Sequence, residues 1–281
     1  LKGTSASHKK MIDSLNAISK FKNQLPLLFS IDAEPSLYNG RLQGTKPLMN
    51  TIDIKTKKQS DSIATIINTK LLEIGFHQNF APVVDISPEN EAIKDRSFGN
   101  DKNKVIQLSN QFIKTTQHQG IIATAKHFPG HGLVKGDTHK KSVYIDGELQ
   151  EVDIYPPLIS EGVISIMIAH ITILNNEKYN TNGLPASCSR KIVTGLLKKE
   201  MGFKGLIITD ALNIMKAVTI IKNAPLLASK AGNDMLLMPI DESETITSIL
   251  NEMKKDATYK TQVYESVKKI IRLKLFLDLV K

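Results

Sequence analysis

Five separate apolar runs of this chain end on a charged or imidazole side chain, and no other feature limits its folds as much. Segment 25–32 (LPLLFSID) closes on Asp32, 79–85 (NFAPVVD) on Asp85, and 121–127 (IIATAKH) on Lys126 and His127. Segment 163–170 (VISIMIAH) closes on His170, and 205–210 (GLIITD) on Asp210. The runs are continuous rather than alternating, which suits parallel strands covered on both faces. Two shorter runs, 184–187 (LPAS) and 234–239 (DMLLMP), bring the expected strands to seven. Helical periodicity fills the gaps at 61–74, 103–118, 189–201 and 242–255, with a last helix over 259–279. This alternation predicts a single α/β domain over 1–281, a TIM-like (β/α)8 barrel with room for one irregular or missing element. A doubly wound open sheet is the structural alternative. No G-x-G-x-x-G follows a strand, which removes its dinucleotide-binding form.

A barrel gathers the carboxyl ends of its strands at one mouth, where active sites lie. A single strand-end Asp is explained well enough by capping of the following helix. Polar closure of five runs favours a site instead. The densest polar stretch is 126–139 (KHFPGHGLVKGDTH), where Pro129, Gly130, Gly132 and Gly136 dictate a loop. Its His127, His131 and His139 are spaced unlike any standard zinc set, so no metal and no cofactor is expected. Asp137 lies two residues before His139, and a carboxylate so placed can fix an imidazole's tautomer and raise its basicity. On a glycine-rich loop, that pair makes a mobile general acid/base.

Composition narrows the partners. The 281 residues carry 37 basic against 28 acidic side chains, a net charge of +9, yet only Arg41, Arg96, Arg190 and Arg272 are arginine. Nucleic-acid recognition favours arginine and aromatic platforms, so the lysine-rich surface is expected to be merely solvated and no nucleic acid is expected as a partner. No run reaches the ~20 apolar residues of a membrane span. The lone Cys188 excludes an internal disulfide framework. Leu1 in place of Met leads to the expectation of a processed or trimmed chain, with both cytoplasmic and exported locations open and a monomer expected.

These residues resemble a known family. The blocks SIDAE, NFAPVVDI, DRSFG, ATAKHFPGHG, GDTH, IMIAHI, LPAS, MGFKGLIITDAL and AGNDMLL follow one another in the order of glycoside hydrolase family 3, β-N-acetylglucosaminidase branch. The resemblance implies a retaining exo-β-N-acetylglucosaminidase acting on cell-wall or chitin-derived glycans, as in bacterial peptidoglycan recycling. It implies Asp210 as nucleophile and a His139–Asp137 dyad as acid/base. Lys126 and His127 would meet sugar hydroxyls, Arg96 the ring or N-acetyl group, and Asp32 the hydroxyls of the nonreducing sugar. Asp85 and His170 are left between site roles and structural hydrogen bonds, and His131 is expected to shape its turn. The chain departs from the family after Asp32, where a longer stretch replaces a Gly-Gly turn and leaves the role of Arg41 open. It also departs at Ala211, which stands where the family has a second aspartate, and the segment between Met215 and Ala228 is short. Two other functions compete: a phosphorylase of the same fold, because an uncharged imidazole tolerates phosphate, and a glycan-binding protein without turnover.

Overall fold

The computed structural model describes residues 2–86, 89–134 and 143–280. Five parallel strands lie side by side in chain order: β1 (Ser30–Ile31), β2 (Gln78–Asn79), β3 (Ile122–Phe128), β4 (Ser165–Ile168) and β5 (Leu206–Thr209). Gln78 stands opposite both Ser30 and Ile122, while Ile166 pairs with Ala125 and Ile207. Parallel neighbours need crossovers. Helices Lys57–Ile74, Lys102–His118, Tyr155–Ser160 and Lys191–Glu200 supply them, the last wound as a π-helix. Every residue of β3, β4 and β5 is buried, as continuous apolar runs require. Leu28, just ahead of β1, packs in one cluster with Ile122, Leu206 and Met235, so side chains join the first and last strand regions. The result is a TIM-like barrel with irregular elements.

Two expected strands are corrected. Segment 234–239 is reduced to one parallel bridge, Ile208 to Met235. Segment 184–187 makes a single antiparallel bridge, Thr172 to Pro185, and then turns into a 3-10 helix, Ala186–Cys188. Pro185 has no N–H to continue a ladder. Two small parallel pairs were not expected: Gly3–Thr4 with Leu42–Gln43, and Tyr144–Asp146 with Thr172–Leu174. Helix Ser5–Phe21 was not expected either, because it buries little beyond His8, Ile12 and Ser19 and leaves Ile18 and Phe21 exposed.

Caps explain where the other helices begin. Thr56 and Gln59 form a reciprocal capping box, so the expected 61–74 helix starts four residues earlier at Lys57. Asp101, Asp241 and Asp256 each accept from backbone N–H groups in the first turns that follow them. Gly75 ends helix Lys57–Ile74 at φ 102°, a left-handed cap that glycine takes without strain. Ile67 and Leu71 of that helix and Leu108 and Phe112 of Lys102–His118 share the main core cluster with Phe128 and Tyr155. Among the described residues no helix is long and apolar enough to cross a membrane.

Phe112 is fully buried in this core. Phe112→Ala is expected to cost about 3–5 kcal/mol, read as a lowered midpoint in urea unfolding without a change in slope.

Candidate active site

The strand ends converge. Asp32, beyond β1, Lys126 and His127 of β3, and Asp210, beyond β5, all line one cavity of about 700 Å³. His8, Ser30, Arg41, Arg96 and His131 add to its polar lining, and Ile214, Met215 and Met238 belong to its apolar lining.

The ammonium of Lys126 organises the polar wall. The lysine is buried, and its Nζ lies 2.5 Å from Asp32 Oδ1 and 2.5 Å from Glu34 Oε1. Burial alone would discharge it, but the two carboxylates outweigh burial and hold its pKa above the usual lysine value. Glu34 is buried too, yet Arg96 and Lys126 keep it ionised far below the ordinary carboxyl range. Arg96 grips Glu34 with two hydrogen bonds, Nε at 2.7 Å and Nη2 at 2.8 Å, and its Nη1 donates to the carbonyl of Ala92 at 2.9 Å. A bidentate fork of this kind is specific to arginine. On the outer side Arg41 Nη2 donates to Asp32 Oδ2 at 2.9 Å, which defines a contact for a residue whose role the sequence left open. Asp32 keeps 31% of its side chain exposed, so it can still accept from a ligand.

Beneath this wall lies a second carboxylate centre. Asp85 is buried and accepts from the backbone N–H groups of His127 and His131, the latter at 2.7 Å. It also pairs with His127 Nδ1 at 2.7 Å. Burial works against its ionisation, but His127 and the His131 backbone bring its pKa below the usual value. His131 is therefore held by its main chain, as expected, although it also reaches the cavity. Glu151 is a residue that sequence reasoning missed. Its Oε1 accepts from Ile86 N at 2.8 Å and Gly132 N at 3.2 Å, and its Oε2 from Leu133 N at 3.1 Å. A Cβ on Gly132 would sit 1.5 Å from the carbonyl oxygen of Ile86, so only glycine lets these segments meet.

At the far end of the row, Asp210 continues the ladder through its N–H to Ile168 O at 2.9 Å. Its Oδ1 accepts from Ala211 N at 2.7 Å. Burial would raise its pKa, but His127, the Ala211 N–H and Lys126 together bring it below the usual aspartate value. The cavity thus holds an ionised carboxylate ready for nucleophilic or electrostatic work. His170 is buried outside the cavity lining, bonded to Ser187 and Ala211. Asp137 and His139 lie outside the described residues. The residues flanking that stretch, Val134 and Val143, share one apolar cluster with Ala169 and Ile171, beside the end of β4. Among the described residues no group of three or more ligand-type side chains is placed to hold a metal ion.

Fold and mouth together define the α/β-barrel class, with its polar pocket at the carboxyl ends of the strands. The glycosyl hydrolase family 3 N-terminal domain matches residues 3–273, and the chain belongs to that family. Beta-hexosaminidase A of Pseudoalteromonas piscicida is 32% identical over 250 residues, 80% of this chain and 42% of that protein. A beta-hexosaminidase of Actinobacillus pleuropneumoniae serotype 5b is 30% identical over 275 residues, 90% of this chain and 76% of that protein. The glycoside hydrolase family 3 beta-N-acetylglucosaminidase from Paenibacillus sp. str. FPU-7 superposes with a TM-score of 0.87 at 28% identity, over 99% of this chain and 55% of that one. The chain thus spans from under half to three quarters of the length of these relatives.

Burial and the neighbouring Asp85 charge push Glu151 up to about 8, against the three N–H bonds it accepts. An unfolded glutamate titrates near ~4.3. Between these values the folded protein binds the extra proton, so its stability is expected to fall as pH rises from about 4.5 to about 8. Glu151→Gln, which mimics the protonated form, is expected to flatten that slope in urea midpoints measured from pH 5 to 9.

Proposed function

We propose that this chain is the catalytic barrel of a retaining exo-β-N-acetylglucosaminidase. Its substrates would be cell-wall or chitin-derived glycans ending in N-acetylglucosamine. The observation that carries the reading is Asp210: an ionised carboxylate at a strand end, held by a backbone N–H, lining the same cavity as Asp32 and Lys126. Names of relatives agree with it, since those at about 30% identity are beta-hexosaminidases.

In this mechanism Asp32, with one oxygen on Lys126 and the other on Arg41, accepts from hydroxyls of the nonreducing sugar. Such a contact rejects sugars lacking the hydroxyl, because the carboxylate would be left underpaired. Lys126 donates to a neighbouring hydroxyl and His127 hydrogen-bonds another, both from the rigid end of β3. Arg96 is committed to Glu34 and Ala92, so its contribution to the sugar or N-acetyl group comes from the outer edge of its guanidinium. Asp210 attacks the anomeric carbon as the glycosidic bond breaks, and the departing oxygen takes a proton from the His139 imidazolium. Water then attacks the same carbon, gives its proton to His139 and releases Asp210, so configuration is retained. Asp137 orients the ring. Support for His139 is indirect: its stretch leaves from Val134 and returns at Val143, both packed against Ala169 and Ile171.

Asp210→Asn is expected to lower turnover of an aryl β-N-acetylglucosaminide by more than about 10³-fold while leaving the unfolding midpoint nearly unchanged. Labelling by a 5-fluoro glycosyl inhibitor at Asp32 or Glu34 instead of Asp210 would refute the assignment. A second expectation concerns His139. His139→Ala should slow substrates with poor leaving groups far more than activated aryl glycosides, because only the former need the departing oxygen protonated. Equal loss on both would remove the acid/base role, and proton NMR of the first-formed anomer tests retention.

A further inference from the structure

The neck between β4 and β5 contains a continuous hydrogen-bonded chain that ends on Asp210. Asn233 Nδ2 donates to Ser187 O at 2.7 Å and to Ala228 O at 2.7 Å. Ser187 N in turn donates to Ala169 O at 3.2 Å, which ties the segment to the end of β4. Ser187 Oγ lies 2.7 Å from His170 Nδ1, and His170 Nε2 lies 3.2 Å from Ala211 O. The Ala211 N–H then reaches Asp210 Oδ1 at 2.7 Å. Chemistry fixes the protons along this path. A carbonyl only accepts, so Nε2 carries the ring hydrogen, and in the neutral ring Nδ1 accepts from the Ser187 hydroxyl. Burial, the leading influence, keeps the imidazole neutral by lowering its pKa.

We infer that His170 is a positioning residue for the nucleophile: by holding the Ala211 carbonyl, it fixes the residue whose N–H aims the Asp210 carboxylate. His170 does not line the cavity, so it acts through Ala211 and not on the sugar. Ser187 selects the tautomer, and Asn233 anchors Ser187. The 3-10 turn Ala186–Cys188 is what brings the hydroxyl to the ring. A carboxylate free to swing by an ångström loses much of its advantage in attack, while a bound sugar hardly notices.

This inference rests on Asp210 being the nucleophile. The test uses the full chain with His170→Phe, which keeps a ring but no nitrogen, His170→Asn, which keeps a donor, and Ser187→Ala. Three quantities are read: the rate of covalent labelling of Asp210 by a 5-fluoro N-acetylglucosaminyl fluoride, the inhibition constant of N-acetylglucosamine, and the unfolding midpoint. His170→Phe is expected to slow labelling about tenfold or more with product binding changed less than about threefold, and His170→Asn to restore part of the rate. Ser187→Ala should slow labelling less. ¹⁵N NMR of the wild-type ring should show a neutral Nε2–H form between pH 5.5 and 8. An unchanged labelling rate, a parallel loss of rate and product affinity, or an Nδ1–H or charged ring would overturn the inference. Labelling of the wild type at another residue would instead remove the nucleophile reading, and this inference with it.

Discussion

One buried ammonium holds the mouth of this barrel together. Lys126 comes from the middle of the sheet, while Asp32 and Glu34 follow the first strand, and all three meet without water between them. Taking such charges out of water costs several kcal/mol each, and removing one partner of a buried pair costs about 3–5 kcal/mol because the other is stranded. The arrangement survives because no charge stands alone. Arg96 takes the remaining oxygen of Glu34, and Arg41 takes the remaining oxygen of Asp32. The first and third strands are thus locked at their carboxyl ends by electrostatics, where apolar packing gives way to the open cavity.

A second tier under that network fixes backbone instead of side chains. Asp85 and Glu151 together accept from main-chain N–H groups of Ile86, His127, His131, Gly132 and Leu133. His131, Gly132 and Leu133 belong to the turn that leaves β3, and Ile86 to the segment that follows β2, so the two carboxylates tie these stretches together. Two carboxylates so close resist being ionised together, and the proton settles on Glu151, which is met only by backbone N–H groups, whereas Asp85 also pairs with the His127 ring. The upper tier therefore presents side chains to a ligand, and the lower tier keeps the chain beneath them in place.

Much of this was legible in the sequence, and the illegible parts have physical causes. Continuous apolar runs marked β3, β4 and β5 because strands covered on both faces have no polar side to show. Of the polar residues closing the five apolar runs, Asp32, Lys126, His127 and Asp210 line the cavity, while Asp85 and His170 are buried outside its lining. Arg96 meets them through Glu34, the last residue of the SIDAE block, to which the sequence reading gave no role. Glu151 was invisible because its work is done on backbone N–H groups 18 to 65 positions away. Helix Ser5–Phe21 was overlooked although Met11, Leu15 and Ile18 stand at helical spacing, and of its apolar residues it buries only Ile12 fully. Helix starts drifted wherever a cap lay ahead of the apolar period, as at Thr56 and Asp256.

The pairing of charges at the mouth also bears on how a neutral ligand would arrive. The chain as a whole is strongly basic, with a net charge of +9. Yet Lys126, Arg96 and Arg41 stand against Asp32 and Glu34 at close range and against the ionised Asp210 in the same cavity, three charges of each sign whose fields largely cancel at a distance. A neutral ligand entering such a pocket is met by short-range hydrogen bonding and not by long-range attraction. Its rate of capture is governed by diffusion and the width of the opening, and it changes little with ionic strength.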